Sequence, residues 1–390
     1  MVFIMKFAMD INFDENRFLM FVLDQVANDY EEKGIDVIRM TLGKSELPLR
    51  KEIIEAIQDA IADFSKSALV YPSGLPLLRT KLAEYYSKKY AIGIDSKNVI
   101  VSYGTSSIFR NLFQLLLSED DEVLLPFPYY SLYHFSALLA KAKIKYYKID
   151  TETLKLDRQS FMNNFTDKTK LVVLNSPGNP LGNIIERNEL EFIDKTVNGQ
   201  AVIISDEIYS NICFEDGFTS CLQLVNPRSQ FILTSAFSKG YRMYSRRVGY
   251  CIVPDEFINP LTVMQHHTLL TTDPVAQFGA CKALEYESEV EELRNIYMER
   301  RNYTIEQFKN VPLVRAIPAK GSFYFTLDCK EFMREKCINT SEELALDIIH
   351  KIKVATVPGS DFLLPETLRL SYSTTRYMEG IDRLVAYFNS

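Results

Sequence analysis

The sequence predicts an α/β protein with two domains, the larger built around a mostly parallel central sheet flanked by helices. Short apolar segments alternate with helix-like segments from about residue 97 to residue 287, as in parallel sheets with helical connections. Several of these apolar segments are continuously apolar and β-branched, which is typical of strands covered on both faces. A charged segment over residues 290–308 then interrupts the alternation and suits a helix that bridges two domains.

Composition narrows the class of protein further. Apolar residues make up 47% of the 390 residues, charged residues make up 24%, and the net charge is −7. We therefore expect a globular protein, and no basic segment indicates a nucleic-acid partner. No apolar run approaches membrane-spanning length, and residues 1–9 lack the features of a signal peptide. The six cysteines and four histidines show no metal-ligand spacing, so we expect reduced thiols, no metal site and a cytoplasmic location.

The N-terminal part is predicted to be mainly helical. Asn12 or Asp14 can cap a first helix that extends to about residue 31. Apolar residues at helical spacing are expected on one face of this helix: Phe18, Phe21, Val22, Val26 and Tyr30. Residues 36–42 resemble a strand, and further helices are predicted over 51–64 and 78–89. The apolar positions of the helix over 51–64 are Ile53, Ile54, Ile57 and Ile61.

The remaining elements divide into two groups. Strands are predicted over 98–103, 122–125, 144–149, 170–175, 201–205, 231–235 and 249–253. Helices are predicted over 106–117, 131–141, 186–195 and 275–287. A helix opened by the capping box Thr340-x-x-Glu343, a strand over 354–357 and a last helix from Met378 then predict a smaller α+β domain. We expect a large domain over 50–289, and a small domain with an N-terminal arm over 1–49 and 290–390.

One lysine comes directly after a predicted buried strand in the segment Ser235-Ala-Phe-Ser-Lys-Gly-Tyr-Arg-Met-Tyr-Ser-Arg-Arg-Val-Gly249. Burial favours the neutral amine of Lys239, and a neutral amine is a nucleophile toward aldehydes. Arg247 lies eight residues later and has the forked N–H geometry that matches phosphate oxygens. Since an isolated Ser-Lys pair is more often solvated surface, the interpretation depends on the residues at the ends of the other strands.

Ligands of open α/β sheets bind where strands end at their carboxyl edge. Gly104-Thr105-Ser106 comes after the strand over 98–103 and opens a helix, which predicts either an anion site or an ordinary N-cap. Asn179 lies in the loop 175–182, where two prolines and two glycines fix its direction or simply form a turn. Neither a Rossmann nor a P-loop motif is present, so a nucleotide site of those types is not supported.

Two further strands end in residues that can take part in chemistry. Asp206 directly continues the strand over 201–205, and a buried carboxylate needs a partner such as a pyridinium N–H or a salt bridge. Tyr209 lies three residues after Asp206. Tyr130 comes after the strand over 122–125 and can stack on a flat ring, although such a tyrosine is more often part of the core.

In combination and in this order, these motifs resemble those of the class I and II aminotransferases, fold-type I enzymes that use pyridoxal 5′-phosphate. The motifs are N-x-P-x-N-P-x-G around Asn179, D-E-x-Y from Asp206, and S-K-x7-R around Lys239. The resemblance implies that Lys239 forms the internal aldimine and shuttles the proton of the substrate α-carbon, and that pyridoxamine phosphate carries the amino group. It also implies that Asp206 keeps the pyridine nitrogen protonated.

The resemblance assigns the remaining site residues. Asn179 and Tyr209 would bond the ring hydroxyl, and Tyr130 would stack on the ring. The phosphate would be bound by a set drawn from two segments: Gly104, Thr105, Ser106, Ser238 and Arg247. Tyr71 would reach the phosphate of a neighbouring subunit, which implies a homodimer.

Arg369, in Thr367-Leu-Arg-Leu-Ser371, matches the arginine that binds the substrate α-carboxylate. Gly43 matches the residue whose backbone borders the substrate, and Asn179 would also contact it.

The resemblance leaves the substrate and part of the chemistry open. Ala236, Ser245 and Leu181 depart from the residues usual in the family, so the substrate is not transferable from its aspartate or aromatic members. Transamination is the expected reaction, and a lyase, decarboxylase or cyclase on the same scaffold is the alternative. A binding or regulatory protein without turnover is disfavoured because Lys239 and Asp206 are both present. The candidates for a second arginine that binds a dicarboxylate side chain are Arg50, Arg79 and Arg242.

Overall fold

A central seven-stranded sheet organises the protein, which we describe from a computed structural model covering residues 18–390. The strands of the chain are β1 (Ile38–Arg39), β2 (Val99–Tyr103), β3 (Glu122–Phe127), β4 (Lys143–Lys148), β5 (Thr169–Asn175), β6 (Val202–Asp206), β7 (Phe231–Ala236), β8 (Val248–Ile252), β9 (Arg315–Ile317), β10 (Tyr324–Asp328), β11 (Val354–Ala355), β12 (Val357–Pro358) and β13 (Thr367–Ser371). The central sheet has the order β2-β8-β7-β6-β5-β3-β4. All its neighbours pair in parallel except β8, which is antiparallel to β2 and β7. The predicted mostly parallel α/β sheet is confirmed.

Helices cover both faces of this sheet, and other helices pack around a separate core. Within residues 18–390 the helices are α1 (Leu19–Glu31), α2 (Lys51–Ala62), α3 (Phe64–Ser67), α4 (Pro76–Tyr90), α5 (Gly104–Leu116), α6 (Ser131–Leu139), α7 (Arg158–Asn164), α8 (Arg187–Val197), α9 (Asp255–Leu269), α10 (Pro274–Ala283), α11 (Glu287–Phe308), α12 (Lys330–Glu335), α13 (Ser341–Ile352) and α14 (Tyr377–Phe388). The sequence did not predict α3, α7, α9 or α12. Helix α9 escaped prediction because Pro260 lies in its interior, where proline removes a backbone donor. No helix within residues 18–390 is long and apolar enough to cross a membrane.

Side chains of alternate strand residues pack on opposite faces of the central sheet. Val99 and Val101 belong to one apolar core, which helices α4, α8 and α10 cover, while Ile100 of the same strand belongs to another. The second core contains Phe109 and Phe113 of α5. Burial on both faces explains why these strands are continuously apolar in the sequence.

A separate core joins the N-terminal and C-terminal parts of the described chain. It contains Leu23 and Ala27 of α1 together with residues of α11, α13 and α14 and of the antiparallel sheet β12-β13-β10-β9. Strand β1 pairs in parallel with β11, so residues 38–39 and 354–355 are joined directly. At the start of α13, Thr340 accepts a hydrogen bond from the Glu343 amide at 3.1 Å, as the capping motif predicts. The predicted boundaries at 49/50 and 289/290 stay a prediction.

Two apolar faces differ from the predicted ones. The predicted cap residues of the first helix, Asn12 and Asp14, and residues 1–9 lie outside the described residues. Helix α1 buries Leu19, Met20, Leu23 and Ala27, which the sequence did not assign to its apolar face. Of the predicted face, Val22, Val26 and Tyr30 pack against the core, whereas Phe21 is 63% exposed, so the prediction is wrong at Phe21. In α2, Ile53 and Ile57 are buried while Ile54 and Ile61 are exposed. Both segments have apolar residues around more than one face, and the tertiary partner decides which face is covered.

Candidate active site

A cavity of about 380 Å³ opens at the carboxyl ends of β5, β6 and β7. Strand pairing aligns these ends, since Asn175 of β5 lies beside Asp206 of β6, and Asp206 lies beside Thr234 of β7. The cavity is lined by Thr105, Ser106, Tyr130, Tyr133, Asn175, Asn179, Asp206, Ile208, Tyr209, Ser238, Lys239, Tyr244, Arg247 and Tyr324. The structure therefore brings together most of the residues that the sequence predicts for the site.

Lys239 lies in the turn after β7 and is 8% exposed. Its Nζ donates to the carbonyl of Gly43 at 2.7 Å and lies 3.4 Å from the Tyr324 hydroxyl. Burial lowers the pKa of Lys239; Tyr324 opposes this effect, and the nearby Arg369 and Arg247 add to it. The site therefore favours the neutral, nucleophilic amine.

Asp206 ends β6 inside the cavity and is 3% exposed. Its carboxylate accepts a hydrogen bond from the Tyr133 hydroxyl at 2.6 Å and a longer one from the Ile208 amide at 3.3 Å. Burial raises the pKa of Asp206 to about 6, although these hydrogen bonds oppose the rise. Within residues 18–390 no lysine or arginine forms an ion pair with it, so a cationic N–H group from a ligand would be its natural partner.

The opposite part of the cavity is suited to an anion. Helix α5 begins at Gly104, and Thr105 and Ser106 of its first turn line the cavity beside Ser238 and Arg247. Free backbone N–H groups and the helix dipole favour negative charge there. Gly104 has φ +70°, and a Cβ at this position would lie 2.4 Å from Nη2 of Arg247. Backbone and guanidinium thus approach closely enough to bind one small anion together.

Arg369 of β13 is a buried cation without an ion pair to any described carboxylate, and it is 2% exposed. It donates to the Asn179 side-chain oxygen at 3.2 Å and to the Thr41 carbonyl at 2.8 Å. Its Nε has no hydrogen-bond partner in the described chain. The Tyr324 ring lies 3.9 Å from the guanidinium carbon. A buried guanidinium with an unsatisfied donor is suited to a carboxylate ligand.

The predicted aromatic residues take two different positions. Tyr130 lines the cavity and contacts Tyr133 edge to face, with ring centres 5.7 Å apart. Tyr209 lies at the other wall, 5.9 Å from the Tyr324 ring. Tyr71 does not line the cavity: it is 40% exposed, and its backbone bonds the Thr271 side chain.

Other sequence candidates lie elsewhere. Arg79 donates to backbone carbonyls that include Val99, while Arg50 and Arg242 both bind Glu289. None of these arginines lines the cavity, so within the described chain the structure brings none of the three candidates for a second substrate arginine to the site. The pair His266 and His267 is exposed in the last turn of α9, because the buried face of that helix passes through Phe257, Leu261 and Gln265.

Sequence reasoning missed several lining residues. Tyr133 lies three residues after Tyr130, and helical spacing after a site residue was a usable signal. Tyr324 comes from β10 and reaches Lys239 across 85 residues of sequence, for which no local signal exists. Tyr244 and Asn175 lie within the predicted motifs but were not assigned to the site.

Pyridoxal 5′-phosphate fits this set of donors. Its aldehyde requires a neutral amine such as Lys239, its pyridine N–H requires a buried carboxylate such as Asp206, and its phosphate requires the anion site at α5 and Arg247. Two observations support the fit: the buried Asp206 carboxylate has hydrogen-bond donors but no cationic partner within residues 18–390, and Gly104 approaches Arg247 closely. The fold and the cavity therefore define a fold-type I transferase that uses this cofactor.

Comparison with known proteins gives the family. The family model described as aminotransferase class I and II matches residues 35–388, and the chain belongs to that family. It is a pyridoxal 5′-phosphate-dependent aminotransferase, which acts on amino acids and oxo acids.

Relatives of this chain are aminotransferases by name. An asparagine–oxo-acid transaminase of Streptococcus mutans is 30% identical over 93% of this chain and 94% of its own length. A probable aspartate/prephenate aminotransferase of Aquifex aeolicus is 31% identical, covering 92% of each chain. The crystal structure of an aspartate aminotransferase from Thermotoga maritima superposes with a TM-score of 0.87 at 28% identity, over 97% of this chain and 99% of that one.

Proposed function

We propose that Lys239 binds the cofactor aldehyde and then moves the proton at the substrate α-carbon in transamination. The observation that carries this proposal is the buried amine at the end of β7, held by the Gly43 carbonyl at 2.7 Å. Its lowered pKa keeps a fraction of Nζ neutral and therefore both nucleophilic and basic. The Tyr324 hydroxyl at 3.4 Å stays beside the amine and favours its charged form, so the two groups can share a proton.

Asp206 would hold the pyridine nitrogen of the cofactor in its protonated form. When bound, the cofactor supplies an electron sink that withdraws electrons from the substrate α-carbon. The Asp206 carboxylate maintains that sink by accepting the pyridine N–H, and the Tyr133 hydroxyl at 2.6 Å holds the carboxylate in position. The ligand N–H would also remove the cost of a buried carboxylate without a cationic partner.

Neighbouring groups orient the ring. Arg369 donates to the oxygen of the Asn179 side chain, which leaves the Asn179 amide N–H groups available. Asn179 and Tyr209 would hold the ring hydroxyl of the cofactor, and Tyr130 would border the ring.

The phosphate would be held at the first turn of α5 and by two side chains after β7. The groups that would hold it are Gly104, Thr105, Ser106, Ser238 and Arg247.

Arg369 binds the α-carboxylate of the amino acid, with Gly43 and Asn179 at its border. The carboxylate satisfies the buried Nε, and the stacked Tyr324 ring restricts the guanidinium to one orientation. Tyr324 therefore lies between the group that binds the carboxylate and the group that binds the amine. This arrangement presents the substrate α-carbon to Lys239.

We also propose a cytoplasmic homodimer in which Tyr71 of each protomer completes the phosphate site of the other. Exposed apolar residues support an interface on this side of the chain: Ile61, Phe64, Val70, Tyr71, Val263 and Leu270. The division into a large domain (50–289) and a small domain (1–49 and 290–390) is likewise proposed, supported by the separate cores of the described chain.

The reaction and the lysine are tested by absorbance spectroscopy of the cofactor-loaded protein. An amino acid should convert the visible band of the bound cofactor to that of its amine form, and a 2-oxo acid should restore it. Lys239→Ala should retain the fold by circular dichroism and lose this cycle. Product release without any amine form would instead indicate lyase, decarboxylase or cyclase chemistry and would refute transamination.

The dimer is tested by complementation. Lys239→Ala and Tyr71→Ala are each expected to be impaired, and after mixing and exchange of subunits activity should rise. One site of a mixed dimer then combines an intact Lys239 with an intact Tyr71 from the other protomer. No gain on mixing, with hybrid formation confirmed by native mass spectrometry, would place Tyr71 in its own protomer's site or in neither.

A further inference from the structure

A second cleft, of about 570 Å³, lies against the cofactor cavity. We call it the aromatic cleft. Its apolar and aromatic lining comes from the start of α1, from the segment around α6 and from the turn between β7 and β8: Phe18, Leu19, Met20, Phe21, Tyr129, Tyr130, Leu132, His134, Phe135 and Tyr244. Tyr130 and Tyr244 line both the cleft and the cofactor cavity. The cleft therefore shares a wall with the site at which an amino acid reacts.

The cleft also contacts both groups that we assign to the substrate backbone. The Met20 sulfur lies 3.7 Å from Nη2 of Arg369, and the Tyr244 ring centre lies 5.4 Å from Nζ of Lys239. An amino acid with its carboxylate on Arg369 and its amine toward Lys239 is thus bordered by two residues of the aromatic cleft. Its side chain has this cleft as the adjoining space.

Within residues 18–390 no lysine or arginine lines the cleft, whereas the carboxylate-bearing residue Asp361 does. Asp361 is held there, because its carboxylate accepts from the backbone amides of Leu19 and Met20 at 2.8 and 3.0 Å. Burial lowers the pKa of His134, and this ring stacks on Tyr129 with centres 5.2 Å apart, so His134 supplies no cation at neutral pH.

Three arginines of this chain were candidates for neutralising a second carboxylate, and all three are bound elsewhere. Arg50 and Arg242 pair with Glu289, and Arg79 bonds backbone carbonyls near β2. A dicarboxylic side chain in the cleft would therefore meet the Asp361 carboxylate and no lysine or arginine of residues 18–390, which is unfavourable in a partly desolvated site. An aromatic side chain would meet aromatic faces and edges at little desolvation cost.

We propose that this aminotransferase takes an amino donor with a large uncharged side chain, aromatic in the best case, and discriminates against aspartate and glutamate. The proposal rests on the proposed function, because it uses Arg369 and Lys239 as the anchors of the substrate backbone. The proposed preference for a large uncharged side chain would distinguish this chain from the relatives that are named for aspartate.

The test compares donors and unreactive analogues on the cofactor-loaded enzyme. Phenylalanine or tyrosine should give the half-maximal absorbance change at a concentration at least tenfold lower than aspartate or glutamate. By calorimetry, 3-phenylpropionate should bind at least tenfold more tightly than succinate. Each analogue offers one carboxylate to Arg369, and the rest of the molecule is a phenyl ring in 3-phenylpropionate and a second carboxylate in succinate. Equal or tighter binding of succinate, or preferred reaction with aspartate, would overturn the proposal.

A charge-insertion variant sharpens the test. Leu132→Arg places a cation in the aromatic cleft and should raise succinate affinity relative to 3-phenylpropionate by at least fivefold. Val225→Arg is the matched control, because Val225 is 83% exposed and lines neither the cofactor cavity nor the aromatic cleft. In this variant the ratio of succinate affinity to 3-phenylpropionate affinity should equal that of the wild type. An unchanged ratio in folded Leu132→Arg would show that the side chain does not enter this cleft. If no amino acid altered the cofactor absorbance, the proposed function would fail, while the analogue ratio would still decide the cleft's preference.

Discussion

Replacing Gly104 by alanine separates backbone strain from damage to the phosphate site. Gly104 has φ +70°, which an L-residue adopts at a cost of about 1 kcal/mol. The added Cβ would lie 2.4 Å from Nη2 of Arg247, whereas ordinary contact begins at 3.4 Å. The guanidinium is the far end of a flexible side chain, so it would move rather than destabilise the fold further.

The displaced guanidinium should weaken cofactor binding. A hydrogen bond to a charged group contributes roughly 1.5 to 3 kcal/mol, which corresponds to about 10- to 100-fold in the dissociation constant. We therefore expect Gly104→Ala to raise the dissociation constant of pyridoxal 5′-phosphate for the apoenzyme by about that factor. Pyridoxal, which lacks the phosphate, should bind the variant and the wild type equally. Absorbance titration measures both ligands, and urea unfolding of the apoprotein measures stability.

Two other glycines supply matched controls. Gly34 has φ +75° with no atom within 4 Å of an added Cβ, so Gly34→Ala tests backbone strain alone. Gly93 has no positive φ and also has no atom within 4 Å of an added Cβ. Gly93→Ala therefore introduces neither backbone strain nor a steric contact, and it gives the baseline for a glycine-to-alanine change. Equal losses of affinity for pyridoxal and its phosphate in Gly104→Ala, or unchanged affinity for both, would refute the assignment of Gly104 and Arg247 to the phosphate.

Three further substitutions test the substrate anchor, a helix cap and a buried carboxyl. Arg369→Lys should raise the half-saturating donor concentration at least tenfold, since an ammonium lacks the forked geometry, and steady-state kinetics measure it. Thr340→Ala should lower the free energy of unfolding by about 1 kcal/mol in urea, because the Glu343 amide loses its acceptor. Burial raises the pKa of Asp361 to about 6, so the folded state binds its proton more tightly than the unfolded chain does. Wild type should therefore lose roughly 2 to 3 kcal/mol relative to Asp361→Asn as pH rises from about 4 to about 6.

Each of these expectations has a contrary outcome. Unchanged half-saturation in a folded, cofactor-loaded Arg369→Lys would remove Arg369 from the substrate site. The control for Thr340→Ala is Ser341→Ala, because the Ser341 hydroxyl bonds Ser360 and not the helix terminus. If both variants lowered the free energy of unfolding and changed cofactor binding equally, a capping role of Thr340 would be contradicted. A pH-independent difference between Asp361→Asn and wild type would mean that Asp361 keeps its ordinary pKa.

Much of the site was predictable because it is local in sequence. Asn179, Asp206 and Lys239 each come after a strand whose apolar pattern is unmistakable, and parallel strands bring their carboxyl ends together. The apolar face of α1 was predictable only in part, because several faces of that segment carry large apolar residues: Val22, Val26 and Tyr30 pack against the core, whereas Phe21 is exposed. The buried face was decided by packing against α13 and β12, which lie near the other end of the chain.

The sequence by itself determined the strands, the motifs at their ends and hence the class of chemistry, since these depend on periodicity and short spacings. Only the tertiary structure placed Tyr324 between Lys239 and Arg369, joined Arg369 to Asn179 and brought the Gly43 carbonyl to the lysine amine. It also brought the start of α1 and the segment around α6 together as the aromatic cleft. These contacts join residues far apart in the chain, and no local pattern encodes them because they exist only after the separate cores have packed.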